Sequence, residues 1–220
     1  RARSLTFLPF YMYICSSFTD NGVLEDGSLR IGEGVLTYTA PCDITAGTVV
    51  KYEGVNLVPF NATEGVLLLS SSGDQLFAFQ GPSTNPTFIA AVQTNSNQFQ
   101  PGATFSANSA LPPGLEVGIS ATALGVGSGA LDETDNARYN GPTMATLDEL
   151  KESVYDPGNW DKNNEVIAEY CSMIEDFEVL DDADPTPAPT VWNIWFCLPE
   201  DDIVGPVRNL VCSFWEWWNS

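Results

Sequence analysis

Alternating apolar and polar positions dominate the first part of the chain, in short runs separated by Gly, Pro, Asn and Asp. Runs of this length with a period of two predict β-strands, and the turn residues between them predict antiparallel neighbours. The predicted strands are residues 31–39, 48–52, 65–70, 75–80 and 87–93. The apolar opening run, residues 5–18, is interpreted as one more buried strand rather than as a targeting remnant. Together these runs predict an antiparallel β-sandwich.

The run QLFAFQ at residues 75–80 is largely apolar on both faces, which predicts a central strand. The turn Gly73-Asp74 precedes it. Asp74 and the serines before it could bind a ligand, but a hydrogen-bonded turn is the interpretation that such a cluster favours. Residues 94–145 are rich in Gly, Asn, Pro and Ser, and predict long loops between edge strands.

Two later stretches have helical spacing. The first begins at Thr146, which forms a capping box with Glu149, and it ends at Asp156-Pro157. The second is an amphipathic helix over residues 161–180. Its apolar positions are Val166, Ile167, Tyr170, Cys171, Ile174 and Phe177. The predicted fold class is therefore mainly β, an antiparallel β-sandwich with one or two helices toward the C-terminal side and a Trp-rich C-terminal appendage.

Composition divides the chain into four parts: a β-sandwich module at residues 1–160, the amphipathic helix at 161–180, an acidic Pro-rich linker at 181–190, and a Trp-rich segment at 191–220. The last part holds five of the six tryptophans, and helical spacing of apolar residues begins after residue 200. Clustered aromatic residues are typical of interaction sites. The predicted partner-binding residues are Trp192, Trp195, Phe214, Trp215, Trp217 and Trp218. A separate small core and a membrane-interface anchor are the alternatives for this segment.

Charge narrows the choice of partners. With 29 acidic and 8 basic residues the net charge is −21, which excludes nucleic acid because phosphate would be repelled. No stretch reaches the roughly 20 apolar residues that a membrane-spanning helix needs, so membrane insertion is not expected. Calcium is a possible ligand of Asp132, Glu133 and Asp135, but their spacing lacks the D-x-[DN]-x-[DN]-G pattern. A solvated acidic loop is favoured there, and no cofactor is expected.

Enzymatic chemistry has little support in the sequence. The chain has no histidine, which excludes Ser-His-Asp and Cys-His catalysis within it. Its five cysteines form no C-x-x-C pair, so a zinc site of ordinary spacing is excluded, while one or two disulfides are possible. We therefore expect that the protein is not an enzyme. Asn61-Ala62-Thr63 is a glycosylation sequon, which matters if the chain enters a eukaryotic secretory route.

Eight motifs follow one another in order: FTDNG at 18–22, GEGVLTYTAP at 32–41, ITAGTVV at 44–50, SSSGDQLFAFQG at 70–81, PTFIAAV at 86–92, ALPPGL at 110–115, DNARYNGP at 135–142 and TLDELKESVYDPGNW at 146–160. Together they resemble a module repeated in large secreted and surface proteins of bacteria, with related stretches in predicted proteins of marine microalgae. The resemblance covers roughly residues 5–160 and implies a compact β-sandwich similar to lamin-tail-like domains. Val23 departs from it, because family members have Trp there. It brings no catalytic residues.

These observations favour a structural or interaction module of a larger extracellular or cell-surface assembly. The sandwich would be the scaffold, and the Trp-rich segment would bind a protein partner or another copy. Two alternatives stay open. The first is an accessory or shell subunit in the lumen or stroma of an algal organelle. The second is a carbohydrate-binding module that uses exposed aromatic faces.

Overall fold

A computed structural model describes residues 3–6, 10–11, 15–30, 32–40, 45–52, 60–70, 73–101, 108–128, 132–164, 176–180 and 191–198. Within these ranges the chain is mainly strands, with one α-helix and one short 3-10 turn at Pro157–Asn159. The strands are β1 (Arg3–Thr6), β2 (Phe10–Tyr11), β3 (Cys15–Thr19), β4 (Val35–Thr39), β5 (Thr48–Tyr52), β6 (Phe60–Glu64), β7 (Gln75–Gln80), β8 (Thr87–Gln93), β9 (Ala121–Ala123), β10 (Asn136–Tyr139), β11 (Met144–Thr146), β12 (Trp160–Asn163), β13 (Glu178–Leu180) and β14 (Val191–Leu198). The helix is α1 (Leu147–Tyr155).

One large mixed sheet organises the described residues. Its six strands lie in the order β6-β4-β3-β7-β8-β9, antiparallel except for the parallel pair of β8 with β9. The predicted central strand is confirmed, because β7 pairs with β3 on one side and β8 on the other. The predicted strands at 48–52 and 87–93 are also confirmed, as β5 and β8.

Three smaller groups of strands accompany this sheet. Strand β14 pairs with β1 and β2 in antiparallel fashion and with β5 in parallel. Strands β10 and β12 form an antiparallel pair, and β11 and β13 form a parallel pair.

The two faces of the six-stranded sheet are both apolar over its middle strands. On the side that we call the helix face, Phe18, Leu36 and Leu76 belong to a buried cluster that includes Leu150 and Val154 of α1. That cluster is completed by Tyr52, Phe60, Tyr139, Tyr155, Trp160 and Phe177, among others. On the opposite side, the loop face, Phe77 and Ala91 pack with Val23, Leu29, Phe99, Leu111 and Leu115. Because successive side chains of β7 point to opposite faces, this strand contributes residues to both clusters.

Helix α1 begins and ends where the sequence predicts. The Thr146 hydroxyl accepts a hydrogen bond from the Glu149 backbone N–H at 3.4 Å, and the Glu149 carboxylate accepts from the Thr146 backbone N–H at 3.0 Å. This is the predicted capping box. Asp156 is the C-cap, and Pro157 follows it. The Trp160 indole donates to the Val154 carbonyl at 2.8 Å, which fixes the end of the helix on the core.

The predicted strand at residues 65–70 is wrong. The strand in this region is β6, which ends at Glu64, and residues 66–70 belong to no strand in the described part of the chain. Their period of two is real, since Leu67 and Leu69 are buried whereas Val66 and Leu68 are 63% and 61% exposed. The backbone N–H groups of Leu68 and Ser70 bind the carboxylates of Asp20 and Asp74, so the period of two reflects burial here rather than a strand.

Both ends of the predicted helix at 161–180 are strands, and residues 165–175, with five of its six apolar positions, lie outside the described residues. Pairing with β10 makes residues 160–163 extended, and Asp161 and Lys162 are exposed there. Described parts of the opening run lie in β1, β2 and β3, and its residues 7–9 and 12–14 lie outside the described residues. The predicted linker at 181–190 lies outside the described residues.

Candidate functional site

Three carboxyl groups gather where the strands of the large sheet begin and end. Asp20 directly follows β3, Asp74 directly precedes β7, and Glu33 lies two residues before β4. Because these neighbours are antiparallel, the end of β3 lies beside the beginnings of β4 and β7. We call Asp20, Glu33 and Asp74, together with Arg30, the acidic cluster.

Asp20 joins two segments that the sheet ladder does not join. One oxygen of its carboxylate accepts the backbone N–H of Gly34 at 2.8 Å, and the other accepts that of Leu68 at 2.7 Å. Asp20 itself is 1% exposed. These two short hydrogen bonds hold residues 66–70 against the start of β4.

Asp74 makes the same kind of contact at the next strand. Its carboxylate accepts the backbone N–H of Ser70 at 2.7 Å and that of Gln75 at 2.9 Å. The Gln75 side-chain amide donates both to this carboxylate, at 2.9 Å, and to the main-chain oxygen of Asp20, at 2.6 Å. Residues 71–72 of the predicted turn lie outside the described residues, and within the described residues Gln75 links the two aspartates.

Side chains of the FTDNG motif bind the start of the GEGVLTYTAP motif in the same place. The Thr19 hydroxyl donates to the Gly34 carbonyl at 2.7 Å, and the Asn21 side-chain oxygen accepts the backbone N–H of Glu33 at 3.1 Å. The backbone N–H of Asn21 donates to the Thr19 hydroxyl at 3.1 Å. Each polar residue of the first motif is therefore bound within the junction of β3 and β4.

Burial raises the pKa values of all three carboxyl groups in the acidic cluster. Loss of solvent raises the pKa of Asp20 from 3.8 to about 6, although the two backbone N–H groups act against this. Burial, followed by the nearby charge of Asp20, raises the pKa of Glu33 from 4.5 to about 7. Burial also raises the pKa of Asp74 well above its ordinary value.

Arg30 is the cation of the cluster. Burial lowers the pKa of its guanidinium, whereas the charges of Glu33 and Asp74 raise it. Its Nη2 donates to the main-chain oxygen of Asn108, so the side chain also reaches the loop that covers the loop face. The cluster can thus hold protons near neutral pH and can connect three loops to the sheet.

The predicted calcium ligands lie elsewhere. In the loop that holds them, Asn164 accepts the backbone N–H of Asp135 at 3.1 Å and donates to the main-chain oxygen of Glu133 at 3.3 Å. Among the side chains that the structure describes, no three acidic or Cys residues are placed to hold a metal ion.

One open surface depression of about 630 Å³ lies between three turns on the described surface. Asp26, Ser28, Asn85, Pro86 and Pro113 belong to its lining, with the partly buried Phe88 among them. The Asp26 carboxylate is engaged by the Ser28 hydroxyl at 2.6 Å, and this hydrogen bond lowers its pKa. The acidic cluster is not part of this lining.

The predicted partner-binding residues are only partly within the described chain. Trp192 and Trp195 lie on β14, opposite Thr48 and Lys51 of β5. Phe214, Trp215, Trp217 and Trp218 lie outside the described residues. No helix within the described ranges combines the length and apolar character needed to cross a membrane.

Comparison with protein-family models, with curated proteins and with solved structures finds no match. The resemblance to bacterial surface modules therefore stays a prediction. Sequence reasoning did not identify Asp20, Glu33 or Arg30 as members of a site. Their only signal was that each acidic residue stands in a polar motif beside a predicted strand.

Proposed function

We propose that this chain is a non-enzymatic structural or interaction module of a larger assembly, outside the cell or at its surface, which docks through its Trp-rich segment at residues 191–220. We further propose that the module is a β-sandwich. In this arrangement the helix face is covered by a second layer to which β5 and the pair β10 and β12 contribute.

The observation that carries the proposal is the use made of the buried carboxyl groups. Asp20 and Asp74 direct their oxygens at backbone N–H groups of their own chain, at 2.7 to 2.9 Å. A general acid or base must instead reach a substrate proton. Carboxylates bound in this way stabilise the junction of several segments, which is what a scaffold requires.

Aromatic packing supports a second layer. The Tyr52 ring of β5 lies 5.3 Å from the Phe60 ring of β6, and the Tyr139 ring of β10 lies 5.6 Å from the Trp160 ring of β12. All four residues belong to the cluster on the helix face. Such ring pairs add about 0.5–1.5 kcal/mol beyond their buried area.

The position of β14 supports docking through the tail. The backbone of β14 pairs with β1, β2 and β5. The residues that follow Leu198 are therefore attached to a strand that is paired within the module. The aromatic residues that follow β14 would then be attached to a part of the module that is held in place by its neighbours. Trp and other large aromatic residues contribute strongly at protein interfaces.

Variants of the full chain test this function. We propose to replace Phe214, Trp215, Trp217 and Trp218 together with Ser, and in a matched control to replace only the three tryptophans with Phe. Light scattering after size exclusion should show self-association for the wild type and the Phe control, and loss of association for the Ser variant. Equal masses for the wild type and the Ser variant would contradict self-association through these residues.

A further inference from the structure

The described residues that cover the loop face of the six-stranded sheet lie over only part of its width. Over β7 and β8 it is closed by Val23, Leu29 and the loop residues that pack with Phe77. Over β3, β4 and β6 the same face carries Ser17, Thr37, Asn61 and Thr63. These positions share the face of Phe79, because Ser17 is opposite Phe79, Thr37 is opposite Ser17, and Asn61 is opposite Thr37.

Hydroxyl groups run across this uncovered part in one line. The Ser17 and Thr37 hydroxyl oxygens are 3.1 Å apart, and those of Thr37 and Thr63 are 3.4 Å apart. The Thr63 hydroxyl also donates to the Val35 carbonyl at 3.2 Å. We call Ser17, Thr37 and Thr63 the hydroxyl strip. It is a polar surface next to a face that elsewhere in the sheet is apolar and covered.

Asn61 lies at the outer end of this strip. It is exposed, and β6 is the outermost strand on its side of the described sheet. Within the described residues its side-chain amide makes no hydrogen bond that a modification would break. Asn61-Ala62-Thr63 is the one N-x-[ST] triplet in the 220 residues that has no proline in the middle position. The other triplet of this form, Asn85-Pro86-Thr87, contains the proline that prevents modification.

We propose that Asn61 is an N-linked glycosylation site and that its glycan lies over the hydroxyl strip. The proposal relies on the extracellular route proposed above, but not on docking by the Trp-rich segment. A carbohydrate fits this surface because sugar hydroxyls exchange hydrogen bonds with Ser and Thr hydroxyls, whereas the covered half of the same face is apolar.

The chemical step needs a lipid-pyrophosphate-linked oligosaccharide as donor and a membrane-bound transferase. A bond forms between Nδ2 of Asn61 and C1 of the first sugar. The bond from C1 to the pyrophosphate oxygen breaks, and the lipid pyrophosphate leaves with the electron pair. One of the two Nδ2 protons passes to a base, and no group is oxidised or reduced.

A glycan at this position also has a structural consequence. The outermost strand of a sheet offers unpaired backbone groups to other chains, which promotes unwanted pairing. A bulky hydrophilic group on β6 would hinder such pairing without occupying the buried face, since Phe60 of the same strand is 4% exposed and points into the helix-face cluster.

The test is secretion of the full chain from eukaryotic cells and measurement of its intact mass before and after treatment with peptide N-glycosidase. The wild type should carry one glycan, and the variants Asn61→Gln and Thr63→Ala should carry none. Pro86→Ala completes a second sequon at exposed Asn85 and should carry two, which controls for the competence of the cells. A secreted wild type without a glycan at Asn61 overturns the proposal.

The position of the glycan is tested separately. The Thr37 and Thr63 methyl resonances should shift between the glycosylated wild type and Asn61→Gln, whereas the methyl resonance of exposed Thr143 should not. Unchanged resonances for Thr37 would refute the placement over the hydroxyl strip. Loss of self-association in the tryptophan variants leaves both measurements unaffected, so the two proposals fail independently.

Discussion

Stability should fall as pH rises through the range in which Asp20 ionises. The pKa of Asp20 is about 6 in the folded chain, against its ordinary value of 3.8, because burial disfavours the charged form. A raised pKa in the folded state means that the folded chain retains its proton to higher pH. The contribution of this group to stability is fully present below about pH 4 and is lost as pH rises through about 6.

The size of the effect follows from the two pKa values. One pKa unit corresponds to about 1.4 kcal/mol, so the change from 3.8 to about 6 corresponds to about 3 kcal/mol between about pH 4 and about pH 7. Glu33 and Asp74 act in the same direction, because their pKa values are also raised. The high negative net charge adds general repulsion of the same sign.

The variant Asp20→Asn isolates the contribution of one group. Urea unfolding of the wild type and the variant should be measured at several pH values in a constant, high salt concentration. The free energy of unfolding of the wild type minus that of the variant should decrease by about 3 kcal/mol from about pH 4 to about pH 7. A matched control, Glu116→Gln, removes one charge from an exposed residue and measures the effect of net charge alone. A flat difference for Asp20→Asn, or one that increases with pH, would refute the reasoning.

Three further substitutions test the packing. Gly34→Ala should lower the free energy of unfolding by on the order of 3 kcal/mol, because the added Cβ would clash with the Leu67 backbone nitrogen. Gly158→Ala, where the nearest neighbour of the added Cβ is at 3.1 Å, should cost much less in the same urea titration. Thr146→Ala should cost about 1 kcal/mol through loss of the capping box, and Thr143→Ala should be nearly neutral by thermal unfolding. Leu67→Ala should cost about 2–5 kcal/mol of stability, because Leu67 is 1% exposed. Leu68→Ala, at a position 61% exposed, should change stability by less than about 1 kcal/mol. Equal effects of the two substitutions would contradict the orientation of this segment.

The elements that were predicted well from the sequence are those whose signals lie within the element itself. Residues 75–80 and 87–93 alternate in a way that fits a sheet with both faces covered, and the structure pairs them with each other. Helix α1 was predictable because its cap, its buried face and its stop all lie within eleven residues. Neither prediction needed knowledge of distant residues.

The elements that sequence predicted poorly depend on distant partners. Residues 65–70 have the period of a strand, but the acceptor for Leu68 is Asp20, 48 positions earlier. The strand at residues 160–163 exists because Asn136–Tyr139 lies beside it. The acidic cluster was missed for the same reason, since its members are separated by up to 54 positions and only the order of strands in the sheet brings them together.

The choice of Asp at position 20 follows from the number of backbone groups that it must satisfy. Its two oxygens accept from Gly34 and Leu68, which lie on different segments. Asn has one acceptor oxygen, and its amide nitrogen would face the other N–H with a donor, leaving a buried group unsatisfied at a cost of about 1–3 kcal/mol. A carboxyl group can serve both, but its burial raises its pKa. The raised pKa is therefore a consequence of burying a carboxyl group that binds two backbone segments, and it does not require a catalytic role.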